Sequence, residues 1–93
     1  MVVGAVRVHL RLPGNGTLKD KRRVVRGLLD RARHRFNVAA AEVDDQDRRD
    51  RAVLALVCVS GDAVHVDRMM TALVNWIDAQ VPGQVVHVER EFR

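Results

Sequence analysis

Three things are scarce in this chain of 93 residues: cysteine, proline and aromatic side chains, with one, two and three copies and no tyrosine at all. A lone Cys58 excludes an internal disulfide and any site built on several thiolates. It lies inside the apolar run Val53–Val59, where a free cysteine is expected to be a small buried hydrophobe rather than a reactive thiol. With only Phe36, Trp76 and Phe92 to draw on, the core has to be assembled from Val, Leu, Ala and Met. The same scarcity removes the aromatic platform on which single-stranded nucleic acid is usually stacked. No apolar run approaches the roughly 20 residues of a membrane-spanning helix. Met1-Val2-Val3 lacks the basic start of a secretory leader, and no small-residue cleavage site follows. A cytoplasmic protein with one domain over residues 1–93 is therefore expected. Walker, GxSxG, HExxH and CxxC strings are also missing, so the sequence gives no ground for an enzyme or for a bound cofactor.

What is present is enough for a core. A chain of this length buries roughly 60–65% of its unfolded surface without help from disulfides or metal. Charge, in contrast, is unevenly placed. In residues 1–35 ten Lys/Arg stand against two Asp, a balance of +8; in residues 36–93 six stand against ten Asp/Glu, a balance of −4. A basic first half suits an anionic partner. The plainer alternative is that an Arg-rich chain simply keeps its charges in water.

Most of those cations lie in Thr17–Phe36, TLKDKRRVVRGLLDRARHRF. Leu18, Val25, Leu28, Leu29, Ala32 and Phe36 recur at helical spacing and make one apolar stripe. Thr17 suits the N-cap, Asp20 stands where a capping box places its acidic member, and the turn residues Pro13-Gly14-Asn15-Gly16 precede it. Asn37 suits the stop. Gly27 is out of place inside a helix, at a cost of about 1 kcal/mol relative to Ala; close approach of another backbone would account for it.

Around this helix the remaining segments read in order. Residues 2–12 alternate, with Val6, Val8, Leu10 and Leu12 on one face and Arg7, His9 and Arg11 on the other, as in a half-buried strand. Val38–Val43 is a short Ala-rich strand, and an acidic loop over 44–50 leads to the near-continuous apolar run Ala52–Val59, a central strand. Ser60 or Asp62 caps a second amphipathic helix over 63–80, with Val66, Met69, Met70, Leu73, Val74 and Ile77 inward and Trp76 at the margin. Residues 84–92 form the last strand, with Val86, Val88 and Phe92 on one face and His87, Glu89 and Glu91 on the other. The order βαββαβ, with crossovers of one hand, predicts an α+β ferredoxin-like two-layer sandwich: a four-stranded antiparallel sheet with both helices on one face. The first and third strands should be central, and the second and fourth should form the edges.

Several strings resemble the YlxP-like family of small bacterial proteins of unknown function. They are Met1-Val2-Val3-Gly4-Ala5, Leu12-Pro13-Gly14, Thr17-Leu18-Lys19-Asp20-Lys21-Arg22-Arg23-Val24-Val25, Arg35-Phe36-Asn37-Val38, and Ala41-Glu42-Val43-Asp44 with Gln46-Asp47. They cover most of the first half, whereas the second half matches mainly in pattern. The resemblance implies a ferredoxin-like fold, in agreement with the order read from the residues. It also implies a setting among proteins of translation initiation and ribosome maturation, hence RNA or a ribosomal particle as partner. It supplies no catalytic residues. Arg48-Arg49 departs from it, since a Trp or other large residue is usual there.

The candidate site is accordingly a set of cations for RNA or another polyanion: Arg7, Arg11, Lys19, Lys21, Arg22, Arg23, Arg26 and Arg33. The helix N-terminus and the loop over 14–16 would add N–H groups for an anion. Such binding would follow backbone shape and depend steeply on salt. A homodimer or another protein–protein module, pairing through the open sheet face or the Ala-rich edge, is the alternative of a different class. Asp44, Asp45, Asp47 and Asp50, with Glu42, offer hard oxygen ligands, but no EF-hand spacing, glycine or supporting histidine accompanies them, so a solvated hairpin tip is expected rather than a metal site. Of His9, His34, His65 and His87, only His9 and His87 are expected to be neighbours. They lack a clear third ligand, although Glu89 is near in sequence, and are read as paired surface residues.

Overall fold

A computed structural model of the chain describes residues 1–14 and 16–93. Asn15, part of the turn expected over 13–16, lies outside the described residues. The elements are β1 (Val2–Arg11), α1 (Leu18–Arg35), β2 (Ala39–Asp44), β3 (Arg51–Ser60), α2 (Ala63–Gln80) and β4 (Val85–Phe92). They form one four-stranded sheet in the order β2-β3-β1-β4, with every neighbouring pair antiparallel. The ferredoxin-like α+β fold is therefore the fold of this chain, with β1 and β3 central.

Alternation along β1 and β3 decides which face meets the helices. Val6, Val8 and Leu10 stand opposite Leu56, Leu54 and Ala52, and all six are buried under the helix layer. From α1 come Val25, Leu28, Leu29 and Ala32; from α2 come Val66, Met70, Leu73 and Ile77. Phe36 and Trp76 close one margin of the core in an edge-to-face contact at 5.8 Å between ring centroids, within the range such pairs prefer. Cys58 is buried against Gly4, and burial pushes its thiol pKa up, which suits an inert core residue.

The caps follow the sequence. Thr17 Oγ1 accepts from the Asp20 N–H at 3.1 Å. At α2 the cap is Asp62, which accepts from the Val64 N–H at 3.0 Å, while Ser60 Oγ accepts from Asp62 itself at 3.2 Å.

Two expectations fail on packing. Val86 is 61% exposed, because the register between β1 and β4 slips from His9↔His87 to Leu10↔Val85. Val86 is the extra residue of that bulge, and Val85 takes the inward place. Gly27 meets no neighbouring backbone: a Cβ there would touch only the flexible end of Arg31, at 3.2 Å. The glycine that a close approach does require is Gly4, where a Cβ would collide with Val66 of α2 and stand 3.0 Å from Met70 Sδ.

Candidate nucleic-acid interface

The apolar stripe of α1 runs 25, 28, 29, 32, and its next position toward the N-terminus is residue 21. Lys21 therefore points inward and is wholly buried. Its ammonium donates to the Asp45 carbonyl at 2.7 Å and to the Gln46 carbonyl at 3.3 Å. Glu42 Oε2 lies 2.7 Å from the same nitrogen, as an ion pair off the angle of an aligned hydrogen bond. Lys21 is thus a structural cation that ties β2 and the following loop to α1, and it leaves the set of anion-binding candidates. A buried ammonium is tolerated only with its protons placed this way. The signal was in the sequence, since residue 21 stands four before Val25 and seven before Leu28, on the stripe rather than its flank.

The other candidates divide by layer. Arg7 and Arg11 of β1 alternate with the core residues and so lie on the sheet face away from the helices. Arg7 is 3.7 Å from Glu89 of β4, so part of its charge is matched within the chain. On α1, Arg33 donates to Asp30 at 2.9 Å and to the Ala40 carbonyl of the edge strand at 2.6 Å. Arg22 is only loosely matched, 4.0 Å from the almost fully exposed Asp47. Lys19, Arg23 and Arg26 are exposed, with no side-chain ion pair among the described residues. The eight cations thus do not make one surface.

What the structure does bring together is a groove of about 330 Å³ between α1 and β2. Arg22, Arg26 and Arg33 line one wall, Val25 and Leu29 the floor, and Glu42 and Gln46 the other side. Lys19 to Arg26 covers seven residues of helix, about 10 Å. The acidic loop borders this flank. Within it Arg48 donates to both carboxylate oxygens of Asp50, at 3.1 and 3.2 Å, and the hydrogen bond from Arg48 holds the Asp50 pKa below its usual value. No group of three metal-ligating side chains occurs in that loop among the described residues.

His9 and His87 are neighbours as the sequence suggests, but the third ligand group expected to be missing is present in Glu89. His9 and His87 face each other across β1 and β4 at 5.0 Å between ring centroids. His9 Nε2 hydrogen-bonds Glu89 Oε1 at 2.6 Å, and His87 Nε2 is 4.0 Å from the same oxygen. His9 is the first cause of a lowered Glu89 pKa, with Arg7 adding to it.

Two helices packed on one face of an antiparallel sheet, with the other sheet face uncovered, define a ferredoxin-like domain with a cationic helix flank. The chain belongs to the family described as "Protein of unknown function (DUF503)", which matches residues 3–90. It is 31% identical over 64 residues to "Uncharacterized protein YlxP" of Bacillus subtilis (strain 168), a match covering 69% of this chain and 70% of that one. The resemblance to the YlxP-like family therefore holds. Among solved structures it is similar to "De novo designed protein Foldit4", with a TM-score of 0.55 at 15% identity over 99% of this chain and 94% of that one. It is also similar to SnoaB, a cofactor-independent oxygenase from Streptomyces nogalater (mutant N63A), with a TM-score of 0.52 at 11% identity over 99% and 90%. At such identities the two structures speak to the fold alone. No helix is long and apolar enough to cross a membrane.

Proposed function

We propose that the chain is a non-catalytic accessory module of the cytoplasm that binds RNA, alone or in a ribosomal particle, through the phosphate backbone. The residues are Lys19, Arg22, Arg23 and Arg26 of α1, with Arg33 shaping the groove wall. One observation carries the reading: after Lys21 and Arg33 have been used inside the fold, Lys19, Arg23 and Arg26 of the candidate flank are exposed without an intramolecular ion pair among the described residues, and Arg22 has only a long one. Arg7 and Arg11 belong to the other layer and are left out. Base readout has no support, because Phe36 and Trp76 pack together at the core margin, and Phe92 of β4, although 49% exposed, shares the helix-side face with Val88 and leaves the uncovered sheet face without Phe, Trp or Tyr.

Filter binding to a structured RNA tests this. Four phosphate contacts predict an affinity loss of roughly 10²-fold between 50 and 200 mM salt. Lys19→Glu/Arg22→Glu/Arg26→Glu should abolish binding without unfolding the chain, since all three side chains are exposed. Absence of binding at low salt, or an unchanged triple variant, would remove the reading.

A second reading, self-association, has its own support. The uncovered sheet face exposes Val57 (37%) and Val59 (59%) of β3 beside Ala39 and Ala41 of β2. Light scattering over a concentration series decides it: a dimer that Val59→Glu dissociates supports it, and a strict monomer ends it.

A further inference from the structure

We propose that His9, His87 and Glu89 form a site for one divalent transition-metal ion, with zinc as the ion their chemistry suits. The proposal is independent of the RNA reading and lies on the opposite layer.

The backbone sets the geometry. β1 and β4 pair antiparallel with His9 directly opposite His87, and Glu89 follows two residues on, on the same face. One ligand atom from each side chain lies within 4.8 Å of the other two, and this is the only such triple among the described residues. A tetrahedral zinc ion with bonds of about 2.0–2.1 Å holds its ligand atoms about 3.4 Å apart. The separations of 2.6 Å from Glu89 Oε1 to His9 and 4.0 Å to His87 bracket that value, and the two imidazole ligand atoms lie within 4.8 Å of each other, so closing the triangle calls for side-chain rotation on a sheet already in register. Two imidazoles with one carboxylate suit zinc, nickel or copper, and not magnesium or calcium, which prefer an all-oxygen shell.

The neighbours are arranged to match. Arg7 lies against the second carboxylate oxygen, Oε2, at 3.7 Å, which leaves Oε1 turned to the imidazoles. Such an outer contact orients a ligating carboxylate, while its positive charge keeps the affinity moderate. His9 and His87 also line a pocket of about 250 Å³ with Arg11, Asp45 and Val53. Three protein ligands therefore leave a fourth position open to water from that pocket.

Calorimetric titration of the untagged chain with Zn²⁺ tests the site, with Co²⁺ absorption reporting the coordination geometry. One ion per chain and a tetrahedral Co²⁺ spectrum are expected. His9→Ala, His87→Ala and Glu89→Gln should each weaken binding by at least about tenfold, whereas His34→Ala and His65→Ala should leave it unchanged. His87 and Glu89 are exposed, so those two variants keep their fold, as circular dichroism will verify, even if loss of the partly buried His9 perturbs it. Failure to bind Zn²⁺ at millimolar concentration would overturn the proposal, and so would unchanged affinity in the His87 and Glu89 variants.

Discussion

Gly4 and Gly27 are the same residue under opposite constraints, and single substitutions separate them. At Gly27 the helix loses backbone entropy for nothing, because only the mobile end of Arg31 faces the missing Cβ. Gly27→Ala should stabilise the chain by about 0.5–1 kcal/mol, read as a higher urea midpoint at unchanged slope. At Gly4 the backbone lies against Val66 and Met70 of α2. Gly4→Ala must displace the Val66 side chain or the helix that carries it and should cost about 1–3 kcal/mol in the same assay. Asp50 offers a test by pH. Its folded pKa is lowered, first by the hydrogen bond from Arg48. The contribution is therefore present above the ordinary carboxylate value and is lost as pH falls through the lower folded value. A carboxyl NMR titration should place the Asp50 midpoint below 3.8, and Arg48→Ala should return it toward that value.

Elements in this fold are joined by more than their apolar faces. The strings Thr17–Val25, Ala41–Asp44 and Gln46-Asp47 that carry the family resemblance meet in the folded chain through Lys21, which bonds the Gln46 carbonyl and that of the intervening Asp45 and pairs with Glu42. The contact attaches a short edge strand, whose alanines bury little, to the helix beside it. Lys21→Ala leaves Glu42 without its cation and two carbonyls without a donor, and should destabilise the chain by about 3–5 kcal/mol. A double-mutant cycle with Glu42→Gln should show a coupling of about 0.5–3 kcal/mol. Both values come from chemical denaturation. If Lys21→Ala instead left stability intact while weakening RNA binding, the lysine would belong to the interface after all.

The two layers keep the two proposed sites apart. The cations of α1 lie on the helix layer, whereas His9, His87 and Glu89 lie on the uncovered side of the sheet. No single surface includes both, so they should act independently. Zinc-saturated chain should bind RNA with an affinity within about twofold of the metal-free chain, measured by filter binding with and without zinc. A larger change would mean that the layers communicate, and linkage requires RNA to alter zinc affinity by the same factor.

Element type and order were legible in the sequence because they rest on local periodicity, 3.6 residues for α1 and α2 and two for β1. So were the buried Cys58, the marginal Trp76 and the facing of His9 and His87. Three features depended on neighbours distant along the chain. The partners that hold the Lys21 ammonium are carbonyls 24 and 25 residues away; the inward place of Val85 came from a one-residue slip against β1; the approach of one Glu89 oxygen to both imidazoles came from the register of β1 against β4. Periodicity states which side of an element is apolar. It does not state which polar atoms will be waiting there when two elements meet, because that is set by register and by the path of a loop, and only the closed sheet fixes both.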